Sequence, residues 1–329
     1  MSLVVIDKLR GVEHKLPVTG AEQIAIIKRK ILAKSAPSEY TNRQIYVNVP
    51  FCMFHCSFCV YRGQLLPPPD RINCFVEELA LEAEELSASF RGFLFNSIFI
   101  GGGTVTILSD KQLLRLLRAI RNSFSLDLGD GEFTVELAPH GLSEKKLETI
   151  ASQKANRVTI GIQSLENELL TAMNRPIKSL TYLERMFTTM RGLPFRDINA
   201  DLMVSIRGRN YENLLKDFNR LADWGCTSIM VYIEMRVYRD RTKTQEICEA
   251  KAMVRKLAAA VIDRFSLNGG MGVNEYNRFT LRDRGCENPF RTRYSTNYED
   301  PDVLCLGLGS GARSWNREWA VLNNLQSRY

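Results

Sequence analysis

Short apolar runs and longer amphipathic stretches alternate along most of the chain. Runs rich in β-branched and aromatic residues predict strands, and stretches with apolar residues three or four positions apart predict helices. The predicted strands cover 44–49, 97–100, 133–137, 157–163, 198–204 and 228–235. The predicted helices cover 71–88, 111–124, 144–152, 180–191, 211–224 and 245–264. This order predicts an α/β protein with a parallel sheet and helices on its outside.

Right-handed crossovers would curl such units into a partial (β/α)6 barrel of the TIM type. A Rossmann sheet uses the same alternation, so the order of elements alone leaves both folds open. We expect the barrel core at 44–240, after an N-terminal extension at 1–43 that contains a helix around 21–33. A C-terminal extension at 241–329 is expected to close the barrel.

Polar side chains recur on one face of several predicted strands. Because strand side chains alternate, each of these sets shares a face: Thr134 and Glu136; Thr159, Gly161 and Gln163; Asn199, Asp201 and Met203; Met230, Tyr232 and Glu234. A packed barrel interior would carry Val, Ile and Leu there. The alternative is that these faces meet solvent, but helices should cover the outside of the strand that carries Asp201. We therefore favour a hollow, polar barrel that holds a ligand.

Composition and charge are those of an ordinary globular protein. Of the 329 residues 45% are apolar and 25% charged, and 44 Lys and Arg against 37 Asp and Glu leave a formal net charge of +7. Acidic neighbours dilute the mild basic concentration at 278–293, so we do not expect nucleic-acid binding. No stretch approaches the ~20 uncharged apolar residues of a membrane span, and the charged N-terminus does not resemble a signal peptide. We expect a cytoplasmic protein without a membrane partner.

Three cysteines lie close together directly after the first predicted strand. Cys52, Cys56 and Cys59 are separated by three and two residues. A loop with this spacing can point three thiolates at one centre, which would bind three irons of a cubane 4Fe–4S cluster and leave the fourth iron free. Structural zinc is one alternative, with His55 as fourth ligand, although adjacent residues rarely bind one ion in good geometry. Three buried apolar cysteines are another alternative, which leaves their clustering unexplained.

This loop and several later segments resemble the radical S-adenosylmethionine (radical SAM) enzymes, and within them the subgroup of oxygen-independent coproporphyrinogen III oxidase and its relatives (HemN-like). The resemblance is carried by Cys52, Cys56 and Cys59 and, in order, by the segments 46–59, 99–104, 134–136, 156–164, 174–175, 198–202 and 307–312. It extends over roughly residues 44–315, most of the chain.

The resemblance implies two cofactors, a 4Fe–4S cluster and S-adenosylmethionine. It assigns the three cysteines to the cluster. The residues that match the family's S-adenosylmethionine positions are Tyr46, Phe58, Gly101, Gly102, Gly103, Thr104, Glu136, Gln163, Arg175, Asp201 and Gly309. Among them, Glu136 would accept hydrogen bonds from the ribose hydroxyls and Arg175 would neutralise the methionine carboxylate. Plainer alternatives are a tight turn for the glycines, core packing for Tyr46 and Phe58, and a surface arginine for Arg175.

The implied reaction starts with one electron from an external donor such as reduced flavodoxin or ferredoxin. S-adenosylmethionine is then cleaved to methionine and a 5′-deoxyadenosyl radical, which abstracts hydrogen from a carbon of a small-molecule substrate. A closed lumen would keep water and oxygen from this chemistry. Candidates for substrate contact are Tyr232, Glu234, Glu275 and Tyr276, with barrel packing or a surface loop as the alternative for each.

Several positions depart from the better-known branches of the subgroup. Tyr61 stands where the porphyrinogen oxidases carry a fourth cysteine, and only 313–329 follow Ala312, where those oxidases continue into a C-terminal domain. Glu287 and Asn288 stand where the heme chaperones carry a His-Asn pair, and glutamate is a poor axial ligand for heme iron.

Our first hypothesis is therefore a radical SAM enzyme that functionalises a C–H bond of a small organic substrate, with methyl transfer as one form. The alternatives are a heme chaperone or a coproporphyrinogen III oxidase-like protein of the same subgroup. A barrel stabilised by zinc, without redox chemistry, is a further alternative.

Overall fold

The computed structural model describes the chain in segments. These are residues 2–7, 12–17, 40–59, 63–127, 129, 131–176, 178–234, 237, 241–268, 276–282, 300 and 302–323. The helix predicted at 21–33, and the candidate residues Tyr61, Glu275, Glu287 and Asn288, lie outside these segments.

Strands occur at every position where the sequence predicts one. The strands are β1 (Ser2–Asp7), β2 (Val12–Pro17), β3 (Asn42–Val49), β4 (Phe51–Cys52), β5 (Gln64–Leu65), β6 (Leu94–Phe95), β7 (Ser97–Gly102), β8 (Ser125–Leu126), β9 (Glu132–Leu137), β10 (Arg157–Gln163), β11 (Asp197–Met203), β12 (Ser228–Tyr232), β13 (Phe265–Asn268), β14 (Tyr276–Leu281), β15 (Val303–Leu308), β16 (Arg313–Trp315) and β17 (Trp319–Asn323). The predicted strands correspond to β3, β7 and β9 to β12, and the others were not predicted.

The six helices predicted between residues 71 and 264 all form, and the described segments contain one more. They are α1 (Pro69–Ser87), α2 (Asp110–Ser123), α3 (Glu144–Ser152), α4 (Asn167–Ala172), α5 (Leu180–Gly192), α6 (Tyr211–Asp223) and α7 (Thr244–Ala260), of which the short α4 was not predicted. Several begin at a residue whose side chain accepts a hydrogen bond from a backbone N–H of the first turn: Ser109, Ser143, Ser179 and Asn210. Such caps set the position at which each helix leaves its loop. None of the described helices combines the length and apolar composition needed to cross a membrane.

Six consecutive parallel strands form the centre of the sheet. Their order in space, β3-β7-β9-β10-β11-β12, is their order along the chain, and each pairs with the next in parallel register. A Rossmann sheet would instead reverse its strand order at a switch point. The structure therefore confirms the partial (β/α)6 barrel and excludes the Rossmann alternative.

The C-terminal residues flank both edges of these six strands. β14 pairs antiparallel with β12 and with β13 at one edge, whereas β15 pairs in parallel with β3 at the other. Beyond β15 the sheet continues through β16, β17, β1 and β2 in antiparallel pairs. The N-terminal residues that are described thus form two strands, which the sequence analysis did not foresee, because β1 has its partner β17 more than three hundred positions away.

One face of each central strand packs against the helices. The buried residues of this face include Val47, Ile98, Val135, Ile160, Ala200 and Val231. The helices contribute to the same cluster Leu79, Leu116, Phe187 and Phe218. Since neighbouring side chains on a strand point to opposite faces, the polar sets of the central strands point into the lumen, as predicted.

Charged side chains fill the lumen at the amino ends of the strands. Nε of Arg157 lies 2.8 Å from Oδ2 of Asp197, and Nη1 of Arg157 lies 3.6 Å from Oε1 of Glu132. Arg278 of β14 donates to the same Asp197 oxygen, and Ser228 donates to the other at 2.8 Å. Burial alone would raise the pKa of Asp197, but the two guanidiniums hold it below its ordinary value. Paired charges therefore close the lumen at the amino ends of the strands, the end we call the floor of the barrel.

Replacing Asp197 by asparagine should destabilise the protein strongly. The variant leaves the buried guanidiniums of Arg157 and Arg278 without their shared carboxylate, which costs about 3–5 kcal/mol of unfolding free energy. Urea unfolding measures the effect. The control is Asp223→Asn, which breaks an ion pair with Arg264 whose side chains are both more than half exposed. It should cost about 0–1 kcal/mol, and equal losses in the two variants would contradict a floor held by charge pairing.

Candidate functional site

A cavity of about 280 Å³ opens at the carboxyl ends of the parallel strands. In barrels of this class, this is the end at which functional groups gather. The predicted cofactor residues that line it are Cys52, Cys56, Phe58, Cys59, Gly101, Gly102, Gly103, Thr104, Glu136, Gln163, Arg175 and Asp201. Residues separated by about 150 positions in the chain are thereby brought to one cavity.

The cysteine loop is held on both sides by hydrogen bonds to its backbone. On one side, the N–H of Gln64 donates to the carbonyl of Pro50 at 2.7 Å. On the other, the N–H of Ser57 donates to the carbonyl of Met173 at 2.9 Å, and Nδ2 of Asn174 donates to the carbonyl of His55 at 2.9 Å. The end of the short helix α4 therefore fixes where the loop lies relative to β10.

The thiol donors fit an iron–sulfur cluster better than a single zinc ion. Cys52, Cys56 and Cys59 form no disulfide, and Cys52 is buried. Among the described residues, no three His, Cys, Asp or Glu side chains lie close enough together to hold one metal ion. Zinc needs its donors around one point, whereas a cubane cluster binds each thiolate through a different iron and accepts donors that are spread further apart.

Arg175 connects the cysteine loop to the end of β10. Its Nη1 lies 3.2 Å from Sγ of Cys56, and its Nη2 donates to the carbonyl of Gly161. A β-carbon at Gly161 would lie 3.2 Å from that guanidinium and 3.1 Å from Nε2 of Gln163. Glycine at this position therefore leaves the space in which both side chains reach the cavity, and Arg175 is part of the cavity lining.

The glycines at the end of β7 permit close contact between backbone segments. A β-carbon on Gly103 would collide with the carbonyl of Phe51 and lie 3.0 Å from Sγ of Cys52. Gly102 has φ +108°, and its N–H donates to Oε2 of Glu136 at 3.3 Å. Side chains here would push the cysteine loop away from the strand ends.

Two carboxyl groups face the same space from β9 and β11. Burial, together with the charge of Asp201, raises the pKa of Glu136 to about 7, against the opposing effect of the Gly102 N–H. Burial also raises the pKa of Asp201, although Nδ2 of Asn199 donates to it at 2.7 Å. Glu136 is therefore partly protonated near neutral pH, when it can donate as well as accept a hydrogen bond.

Phe58 and Gln163 meet the far wall of the cavity. Phe58 packs with a small apolar cluster that includes Met203 and Tyr232. The hydroxyl of Tyr232 donates to Oε1 of Gln163. Met230 and Glu234 line the same wall, so the candidate substrate contacts Tyr232 and Glu234 do lie in the cavity. Tyr276 is described only as a strand residue opposite Tyr232.

Tyr46 and Gly309 lie outside the cavity lining and reach it through Asn48. The hydroxyl of Tyr46 donates to Oδ1 of Asn48 at 3.0 Å, and Nδ2 of Asn48 donates to the carbonyl of Ser310 at 2.5 Å. Gly309 has φ +85°, and a β-carbon there would lie 2.6 Å from the carbonyl of Asn48. A β-carbon on Gly102 would collide with Oδ1 of Asn48. Asn48 thus joins the segment of Gly309 and Ser310, the late glycine segment, to Gly102 at the end of β7.

Sequence reasoning missed this role of Asn48. The residue lies inside the matching segment 46–59, but its link to Ser310 spans 262 positions and leaves no local signal. The same holds for Glu82 in α1, whose Oε2 accepts a hydrogen bond from the N–H of Gly309 at 2.9 Å.

Comparison with known proteins finds one family along the central part of the chain. A model of the radical SAM superfamily matches residues 46–221, more than half of the sequence. The heme chaperone HemW of Lactococcus lactis subsp. lactis (strain IL1403) is 25% identical over 275 residues, which cover 82% of this chain and 69% of that protein. HemW of Bacillus subtilis (strain 168) is 24% identical and covers 83% of this chain and 71% of the relative.

Oxidases of the same group match over a shorter part. The oxygen-independent coproporphyrinogen III oxidase of Cereibacter sphaeroides (strain ATCC 17025 / ATH 2.4.3) is 28% identical over 192 residues, 57% of this chain and 41% of that protein. Among solved structures, coproporphyrinogen III oxidase (HemN) from Escherichia coli has a TM-score of 0.74 at 19% identity and covers 89% of this chain and 69% of that one. The structural likeness concerns the fold.

The buried carboxyl of Glu136 predicts a pH dependence of stability in protein without cofactors. Its pKa is about 7 in the folded chain and 4.5 when unperturbed, so between these values the folded chain binds more protons and stability falls as the pH rises. Glu136→Gln removes this dependence. We expect the difference in unfolding free energy, variant minus native, to increase by roughly 2 kcal/mol between pH 5 and pH 8.

Urea unfolding at a series of pH values measures this difference. The control variant is Glu144→Gln, which changes a glutamate that is half exposed beside Arg185. Its stability relative to the native protein should stay constant over the range. Parallel pH curves for native protein and Glu136→Gln would contradict the raised pKa.

Proposed function

The chain belongs to the radical SAM superfamily, and we propose that it holds a 4Fe–4S cluster on Cys52, Cys56 and Cys59 and binds S-adenosylmethionine beside it in the cavity. The observation that carries this proposal is the shared lining of the cavity. The three cysteine side chains, the glycine backbone of Gly101–Gly103 and the polar side chains that match the family positions all border one space. Three thiolates suit a 4Fe–4S cluster, and membership of the family implies both cofactors.

Several of the lining residues have a definite task in this proposal. The glycines leave room for the methionine portion of S-adenosylmethionine against the backbone of β7. Glu136 and Asp201 accept hydrogen bonds from the nucleoside, and Arg175, already beside Cys56, meets the methionine carboxylate. A reduced 4Fe–4S cluster held by the three thiolates would supply one electron for cleavage of the sulfonium C–S bond, with methionine as the leaving group. The far wall, with Tyr232, shields that space from water.

Within the superfamily we propose a heme-handling role like that of the HemW chaperones. Their matches extend over 82% and 83% of this chain and about 70% of their own lengths, whereas the oxidase of Cereibacter sphaeroides matches over 57% of this chain. Tyr61 in place of a fourth cysteine also departs from the oxidases. This role differs from our first hypothesis, a substrate-modifying enzyme, and corresponds to its alternative.

A radical enzyme that acts on a small organic substrate, for example by methyl transfer, is the second candidate. It is favoured by the part of the cavity beyond the cofactor residues, where Met230, Tyr232 and Glu234 form a wall that the cofactor assignment does not use. A neighbouring substrate would meet the adenosyl carbon there. Both candidates need an external electron donor, for which we propose reduced flavodoxin or ferredoxin.

The cluster is tested by anaerobic reconstitution with iron and sulfide. We expect about four irons and four sulfides per chain and a brown chromophore in the native protein, because three thiolates fix the cluster. Cys56→Ser should lose most of both. The control is Cys74→Ser, since Cys74 is exposed on α1 and should be dispensable. Zinc without iron or sulfide in native protein, or a full cluster in Cys56→Ser, would contradict the proposal.

Heme titration and turnover separate the two candidate roles. For the chaperone role we expect heme to bind at about one per chain with a new Soret band, and to pass to an acceptor hemoprotein. Dithionite and S-adenosylmethionine should then yield 5′-deoxyadenosine at a rate that added small molecules do not change. Absence of heme binding, together with 5′-deoxyadenosine formation that depends on a substrate, would replace the chaperone role by the enzyme.

A further inference from the structure

The end of β10 has a strained backbone at Gln163, a residue that lines the cavity. Gln163 has φ +70°, in the left-handed region that residues other than glycine rarely adopt. The register between β10 and β11 shifts between Gly161 and Gln163. Such a conformation persists only where surrounding contacts impose it. Something must therefore hold Gln163 in place.

A buried ion pair outside the cavity makes these contacts. Oδ2 of Asp217, on α6, accepts hydrogen bonds from Oγ of Ser164 at 2.9 Å and from the N–H of Leu165 at 3.0 Å. Nη2 of Arg209 donates to the same oxygen at 2.9 Å, and its Nη1 donates to the carbonyl of Gln163 at 3.2 Å. The two residues that follow Gln163 and its own carbonyl are thus tied to one ion pair.

Complete burial makes these contacts strong. The side chains of Arg209 and Asp217 are 0% and 1% exposed. Hydrogen bonds to charged groups are stronger than neutral ones, and a buried carboxylate that loses its charge partner is costly. Breaking the hydrogen bonds between this ion pair and the backbone therefore costs free energy. On the opposite side, the Gln163 side chain turns into the cavity and meets the hydroxyl of Tyr232.

We infer that Arg209 and Asp217 are positioning residues, which hold the strained backbone of Gln163 so that its side amide meets S-adenosylmethionine. The inference rests on the proposed function for the identity of the ligand. It concerns residues that lie outside the cavity and that no sequence motif singled out.

The main test is the affinity for S-adenosylmethionine of protein loaded with its cluster. Asp217→Asn keeps the shape of the side chain and removes the charge, so the dissociation constant should rise about tenfold, the equivalent of one strong hydrogen bond. Equilibrium dialysis with labelled S-adenosylmethionine measures it, and the shift of the electron paramagnetic resonance signal of the reduced cluster provides a second readout. Iron content should not change.

The matched control is Glu166→Gln. It breaks the ion pair of Glu166 with Lys216, also on α6, whose side chains are 31% and 57% exposed. Affinity should stay at the native value. Ser164→Ala is a milder second variant, since it removes one partner of Asp217 and keeps the charge, and it should weaken binding about threefold.

A double-mutant cycle with Gln163→Gly decides whether the ion pair acts through Gln163. Glycine adopts φ +70° without strain and has no side amide. In that background Asp217→Asn should not weaken binding further. In cofactor-free protein, Asp217→Asn should lower the urea midpoint more in the Gln163→Gly background than in the native background. In the native background the loss is partly offset, because the strained backbone of Gln163 relaxes and regains free energy, whereas glycine has no strain to relieve.

Each outcome decides one of the two ideas. Native affinity in Asp217→Asn, or an equal further loss in the Gln163→Gly background, would overturn the positioning role and leave the proposed function standing. If native protein took up its cluster but bound no S-adenosylmethionine, the proposed function would fail, and the cycle in urea midpoints would still show whether the ion pair holds Gln163. If Asp217→Asn lowered the urea midpoint equally in the native and Gln163→Gly backgrounds, the idea that the ion pair holds the strained backbone of Gln163 would be overturned as well.

Discussion

The alternation of side chains along six parallel strands determines how this molecule is built. Helices cover one face of the strands, so every second residue of β9 to β12 must point into the lumen. Polar residues stand at those positions, and a buried charge is stable only where it is paired. At the amino ends Arg157 and Asp197 form such a pair and close the floor. At the carboxyl ends the same alternation places Glu136 and Asp201 beside open space.

The walls of that space depend on residues that never touch it. Asn48 joins Tyr46, Ser310 and the backbone after β7, so the late glycine segment stabilises the early one. Asp217 gathers the backbone after Gln163 in the same way from the helical layer. Because a hydrogen-bonding partner must be held within tenths of an ångström, a cofactor site needs such supporting contacts as much as its lining.

Membership of the radical SAM superfamily fits the cysteine loop and the glycine edge, which lie within the matched residues 46–221. It does not choose between handling heme and modifying a substrate, since function depends on sites added to a fold rather than on the fold. The wall formed by Met230, Tyr232 and Glu234 lines the same cavity but is not among the residues assigned to the two cofactors. Its side chains are therefore the part of the cavity in which the two proposed roles would differ.

The sequence by itself determined the central strands and helices and the polar parity of the lumen, because periodicity is a local property. Its resemblance to a known family, carried by local motifs, assigned the lining residues. It could not place β1 beside β17, or show that Tyr46 and Gly309 act through Asn48. Nor could it pair Asp217 with the hydroxyl of Ser164, 53 positions away. Those contacts join segments that are distant along the chain, and only the folded sheet brings them within hydrogen-bonding distance.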